Sequence, residues 1–153
     1  MFTCNCINPE IMKVLAYCGH GSKILIADGN YPVAEKSGDS KKVYLGLCKD
    51  IPKVTDVLKA LKSVINIEKA EVMVPGDSGK KSEEPKGTEV IDKYLSPDKQ
   101  PEIFKDFKEI TGLELYAWGR WSFYDAASDN VVLAISTGES RTFANILLTV
   151  GCA

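Results

Sequence analysis

Apolar residues recur along this chain in two rhythms, one helical and one of short unbroken runs, and they alternate. Between Asn8 and Cys18, the residues Ile11, Val14, Leu15 and Cys18 fall at helical spacing. An asparagine N-cap, Pro9 at the first helical position and Glu10 facing the positive end mark the start of that helix. Gly19 is placed to end it in a left-handed conformation. Ile24 to Ala27 is a continuous apolar run, the pattern of a strand buried on both faces. Asp28-Gly29-Asn30-Tyr31-Pro32 then supplies turn chemistry at the strand's end. Polar residues from Val33 to Lys42 read as loop, and Val43 to Leu47 as a second strand. Pro52 leads into an amphipathic helix. Val54, Val57, Leu58, Leu61, Val64 and Ile65 share one face, and Lys53, Asp56, Lys59 and Lys62 the other. Ala70 to Val74 reads as the next strand.

From Pro75 to Pro101 the composition shifts to Gly, Ser, Lys, Glu, Asp and Pro, which predicts a polar surface excursion with a short helix around Val90 to Leu95. Beyond it, Ile103, Phe104, Phe107 and Ile110 return to helical spacing, and Gly112 stops that helix. Leu113 to Trp118 reads as a strand, residues through Ala127 as a small helix, and Val131 to Ile135 as a strand. Thr137-Gly138-Glu139-Ser140 is a turn, and Ile146 to Val150 is a further strand-like run. Neither half builds a core without the other, so residues 1–153 are expected to form one layered α/β domain.

Composition narrows the function classes. The chain has 153 residues, a formal net charge of −2, 44% apolar and 26% charged residues, values ordinary for a globular protein. It lacks the basic footprint of a nucleic-acid binder, and no apolar run approaches the ~18 residues of a membrane span. Met1-Phe2-Thr3-Cys4-Asn5-Cys6 has neither the charged nor the apolar region of a signal peptide. An odd count of five cysteines, without a paired framework, fits free thiols in a reducing cytoplasm. Cys4 and Cys6 supply two thiolates, but a zinc site needs four ligands and there is one histidine, so no metal is expected.

That histidine, His20, sits between two glycines, eight residues before Asp28. Histidine gives and takes protons near neutral pH. A carboxylate at a strand end reaches the sheet edge where α/β proteins place ligands. His20 and Asp28 are therefore expected to share one polar site. The plainer readings are a surface histidine and a turn-capping aspartate. Arg120 and Tyr124 offer a fork of donors and a phenol suited to hydroxyls, or else an ordinary surface pair beside Trp121 and Phe123. Asn145, at the head of an apolar run, can donate and accept at once. No Gly-x-Gly-x-x-Gly, Walker-type lysine loop or Gly-x-Ser-x-Gly elbow is present. Cys18 as a nucleophile beside His20 is disfavoured by its place on an apolar stripe.

In order and spacing, several motifs resemble one family nearly end to end: the L-fucose mutarotase / D-ribose pyranase family. They are Asn8-Pro9-Glu10-Ile11, Gly19-His20-Gly21, the apolar strand to Asp28 with Asn30-Tyr31-Pro32, Arg120-Trp121-Ser122-Phe123-Tyr124, Thr137-Gly138-Glu139 and Phe143-Ala144-Asn145-Ile146. The resemblance implies a three-layer α/β/α fold with a mixed, mostly parallel sheet, assembled into homo-oligomeric rings, often decamers, with sites near subunit boundaries. It implies a cytoplasmic isomerase that interconverts forms of a free monosaccharide, most simply L-fucose, with D-ribose as the alternative. No metal or other cofactor is called for. His20 would be the general acid/base, with Tyr124 assisting proton transfer. Asp28, Arg120, Phe143 and Asn145 would bind the sugar, as would Glu68 after the second helix. The chain departs from the family pattern at Phe143, where tyrosine is common and a hydroxyl contact is lost. Ser22-Lys23 replaces an Asp-Glu pair, and Asp125-Ala126 replaces Glu-Arg. A sugar-binding or transport-associated subunit without catalysis is the rival reading, and it would keep Asp28, Arg120 and Asn145.

Overall fold

A computed structural model describes residues 1–76 and 80–153. The chain runs α1 (Pro9–Leu15), β1 (Lys23–Ala27), β2 (Lys41–Tyr44), α2 (Val54–Lys62), β3 (Ile67–Met73), β4 (Lys86–Val90), α3 (Ile103–Thr111), β5 (Leu115–Trp118), α4 (Arg120–Ala126), β6 (Val131–Ser136) and β7 (Ile146–Val150). The strands form one seven-stranded sheet in the order β2-β6-β1-β7-β3-β5-β4. β2/β6, β6/β1 and β3/β5 are parallel, whereas β1/β7, β7/β3 and β5/β4 are antiparallel. The sheet is mixed as expected, with five of its seven strands running in one direction. β7 enters against the grain between β1 and β3, and β4 adds an antiparallel edge.

Strand alternation divides the core into two layers. Ile24 and Ile26 pack with Ile11, Leu58, Leu61, Phe104 and Phe107, so α1, α2 and α3 cover one face. Leu25 and Ala27 pack with Phe123, Ala126 and Tyr31, so α4 and the loop after β1 cover the other. The α/β/α sandwich follows from these two faces.

Helix boundaries follow cap chemistry. Asn8 Oδ1 accepts from the Ile11 N–H at 3.1 Å and starts α1. Gly112, at φ 69°, ends α3 in the left-handed conformation, as its position predicts. Gly19 does not play that part for α1. The helix ends at Leu15, and three-residue bonds from Tyr17 to Val14 (2.9 Å) and from Cys18 to Leu15 (3.1 Å) tighten its exit. The left-handed residue is instead Gly21, at φ 86°.

The largest difference lies in the polar stretch after Pro75, part of which (77–79) falls outside the described residues. Residues 86–90 form edge strand β4, and the helix expected near Val90 is a single 3-10 turn, Ile91–Lys93, with Ile91 fully buried. Gly87, at φ 75°, lies where a Cβ would fall 2.2 Å from the Trp118 ring. An edge strand with polar side chains and a glycine carries almost no apolar signature, so composition reads it as loop.

Candidate functional site

β1, β2, β3, β5 and β6 run in one direction and β7 opposes them, so five carboxyl-terminal strand ends lie at the sheet edge where β7 starts. Asp28 leaves β1 at that edge, only 2% exposed. Its Oδ1 accepts from the Asn30 N–H at 2.9 Å. Its Oδ2 accepts from the Ala144 N–H at 3.2 Å and the Asn145 amide at 3.1 Å. The Asp28 N–H in turn donates to Asn145 Oδ1 at 2.8 Å. Burial pushes the Asp28 carboxyl above the usual carboxylate range, and these hydrogen bonds pull it only part of the way back.

A hollow of about 170 Å³ opens beside this pair. Asp28, Asn30 and Tyr31 line it from the end of β1, Arg120 and Tyr124 from α4, and Thr142, Phe143 and Asn145 from the approach to β7. Met73, the last residue of β3, completes it. Phe143 sits at φ 59°, a left-handed conformation uncommon for an aromatic residue. The turn it makes brings the Ala144 N–H onto Asp28. Tyr31 and Tyr124 meet edge to face at 5.4 Å between ring centres, and Tyr31 donates its hydroxyl to the Lys36 carbonyl at 2.8 Å. The Arg120 guanidinium lies 5.1 Å from the centre of the Trp121 ring. One face of the hollow is thus aromatic, and a buried carboxylate, a guanidinium and an amide converge on it. Such a set fits a small polyhydroxylated ring, whose C–H faces and hydroxyls alternate.

Five of the predicted site residues, Asp28, Arg120, Tyr124, Phe143 and Asn145, therefore come together. His20 and Glu68 do not join them. His20 precedes β1 while Asp28 follows it, and five strand residues at about 3.3 Å each put roughly 15 Å between the two edges. The expectation of one site shared by His20 and Asp28 within a chain is corrected by this geometry. At the far edge His20 Nε2 lies 2.9 Å and 3.1 Å from the two Glu68 carboxylate oxygens. Their side chains are 61% and 41% exposed. Glu68 therefore belongs with His20 rather than with the hollow.

Sequence reasoning missed Met73, Thr142 and the lining role of Tyr31, since nothing in their local pattern separates them from core or turn residues. A second hollow of about 320 Å³ is lined chiefly by Val74, Pro75, Pro85 and Leu95, with Glu83, Glu84 and Tyr94 as its polar groups. No convergent donor set like that around Asp28 is found there. Among the described residues, no group of three or more His, Cys, Asp or Glu side chains is placed to hold a metal ion. No helix among them is long and apolar enough to cross a membrane.

The model of the RbsD / FucU transport protein family matches residues 1–153. A D-ribose pyranase of Staphylococcus haemolyticus is 29% identical over 154 residues, covering 99% of this chain and 98% of its own length. A fucose mutarotase of Danio rerio is 27% identical over 151 residues, covering 95% and 88%. Among solved structures, Bacillus subtilis RbsD complexed with D-ribose superposes with a TM-score of 0.74 at 23% identity, over 100% of this chain and 99% of that one. The fucose mutarotase from Streptococcus pneumoniae in complex with L-fucose gives 0.73 at 21% identity, with the same coverage. These two share the fold.

Proposed function

Because the chain belongs to the RbsD / FucU transport protein family, we propose that it is an isomerase interconverting the ring and anomeric forms of a free monosaccharide. L-fucose is the first candidate and D-ribose the alternative. The observation that carries this reading is the convergence of Asp28, Arg120, Tyr124, Phe143 and Asn145 from three separated segments on one small hollow. The apolar lining of Met73, Tyr31 and Phe143 supports a sugar with a methyl substituent, which favours a 6-deoxy sugar over a pentose.

The reaction needs a proton taken from the anomeric hydroxyl and a proton delivered to the ring oxygen. The C1–O bond of the ring breaks, C1 rotates and the ring recloses on the other face of the aldehyde. In the hollow, Asp28 accepts hydrogen bonds from hydroxyls, Arg120 donates to them, and Tyr124 assists proton transfer. The general acid/base is His20, delivered by a second copy of the chain whose far sheet edge faces this hollow. Homo-oligomerisation, as a ring of such contacts, is therefore part of the proposal. With Nε2 held by Glu68, the imidazole keeps Nδ1 for the proton it exchanges. Glu68 acts here by orienting the ring.

The distance between His20 and Asp28 within a chain also favours a second reading, in which the hollow binds sugar and catalyses nothing. NMR saturation transfer between the anomers of L-fucose and of D-ribose separates the two. The wild-type protein should accelerate exchange. His20→Ala should lower the rate by about 10²–10⁴ while leaving sugar binding nearly intact. Sugar-dependent thermal stabilisation without faster exchange would select the binding protein instead.

A further inference from the structure

Glu84 lies in a stretch whose composition marks it as solvated, yet it is 7% exposed. Its carboxylate covers the first turn of α4, whose N-cap is Gly119 and so has no side chain to cap with. Glu84 Oε2 accepts from the Ser122 N–H at 2.9 Å and the Ser122 hydroxyl at 2.8 Å, and Oε1 from the Trp121 N–H at 3.4 Å. The fit leaves no slack: a Cβ on Gly119 would fall 2.3 Å from the Glu84 side chain. The same segment grips α4 elsewhere. The Gly119 N–H donates to the Pro85 carbonyl at 3.0 Å and Lys86 Nζ donates to Ser122 Oγ at 2.6 Å, whereas Lys81 makes only a solvent-exposed pair with Asp125.

α4 is the helix that presents Arg120 and Tyr124 to the hollow. It has only seven residues, too few to hold its own shape without tertiary contacts. One flank packs through Phe123 and Ala126 into the core. Its amino end, where Arg120 sits, is fixed by Glu84 and the backbone of Pro85. We propose that Glu84 is a positioning residue for the sugar site: by capping α4 it sets where Arg120 and Tyr124 enter the hollow, and residues 84–86 are part of the site's frame. The inference rests on the reading of the hollow as a sugar site.

The full-length protein is compared as wild type, Glu84→Ala, Glu84→Gln and Lys81→Ala, well below the unfolding temperature. Two quantities are read: amide hydrogen exchange along α4, and KM and kcat for anomer exchange of L-fucose and D-ribose. Glu84→Ala should lose protection at Trp121, Ser122 and Phe123 and raise KM by about fivefold to tenfold, the order of a lost N-cap, with a smaller change in kcat. Glu84→Gln keeps one acceptor oxygen and should fall between. It also keeps the proposal open to refutation if the alanine variant does not fold. Lys81→Ala removes an exposed ion pair and should change neither quantity. In an Arg120→Ala background, Glu84→Ala should raise KM by less than it does in the wild type, because part of its effect passes through that residue. Unchanged α4 protection and KM in folded Glu84 variants would overturn the proposal, as would a full additive effect on KM without Arg120. If the wild type exchanges no sugar, the kinetic arm refutes the isomerase reading, while the hydrogen-exchange arm still decides whether Glu84 holds α4.

Discussion

Asp28 owes its place to a partner 117 residues away. Asn145 takes the Asp28 N–H on its carbonyl oxygen and gives its own amide hydrogen to Asp28 Oδ2, so the pair is locked reciprocally. An asparagine so occupied has one N–H left for a ligand, and its larger task is to aim the carboxylate and favour its charged form. Asn145→Ala should cost about 1–3 kcal/mol of stability, since it strands a buried donor. It should also act on pH dependence. The amide bond favours the charged carboxylate, so its loss raises an Asp28 pKa already lifted by burial. The acid limb of sugar affinity should then move to higher pH than in the wild type. Titration of L-fucose affinity between pH 4 and 8 checks the sign, and an unmoved or acid-shifted limb would rule out this role. Asp28 and Asn145 were each legible in the sequence, one as a carboxylate ending an apolar run and the other as an amide heading one. Their mutual bond was not, because it depends on β7 lying beside β1 in antiparallel register.

The elements with strong apolar periodicity, α2, α3, β1 and β6, were readable almost to their ends, and the edge strand β4 was not. The difference is physical: helices and central strands announce the face they bury, whereas an edge strand pairs through backbone groups that any sequence supplies. The turn after β6 shows how such unannounced contacts hold the site edge together. Glu139, 1% exposed, accepts from the Arg141 guanidinium at 2.9 Å and 3.0 Å and from the Arg141 N–H at 3.1 Å. Its backbone carbonyl accepts the Gly29 N–H at 2.8 Å, beside Asp28. Burial pushes the Glu139 carboxyl up, but the Arg141 side chain, the Arg141 N–H and the Val54 N–H at the start of α2 together outweigh it. The net shift is downward. A carboxyl whose folded pKa lies below its unfolded one stabilises the protein fully above the unfolded value, about 4.3, and loses that contribution as pH falls through the folded value. Glu139→Gln should therefore lower Tm most at pH 6–7, by an amount equivalent to about 1.5–3 kcal/mol. The gap to wild type should close as pH drops below about 4. Thermal unfolding of both proteins across that range decides it, and a gap constant with pH would mean that the charge is not what matters.

For the whole molecule, one chain carries an aromatic hollow at one sheet edge and the His20–Glu68 pair at the other. The His20–Glu68 pair is too exposed to be held for stability, since surface ion pairs contribute about 0–1 kcal/mol. In the proposed assembly, a second copy covering that edge would desolvate the pair and bring its imidazole against the hollow. The motifs pointed to sites near subunit boundaries only through family resemblance. Spacing alone put His20 and Asp28 together, because it carries no information about which way a strand separates its two ends. The arrangement has a consequence that a site within one chain lacks. His20→Ala chains keep an intact hollow and Asp28→Ala chains keep an intact histidine, so each homo-oligomer should be inactive in anomer exchange. Co-expressed one to one and mixed at random, half the hollows are intact and half of those meet an intact histidine. About a quarter of the wild-type rate per chain should return, as expected for contacts that join different surfaces of neighbouring copies. Mass spectrometry of the intact assembly would establish that the chains have mixed. Mixed assemblies without activity, or a monomer that exchanges anomers at the wild-type rate, would place the catalytic proton donor within the same chain as the hollow and end the case for a shared site.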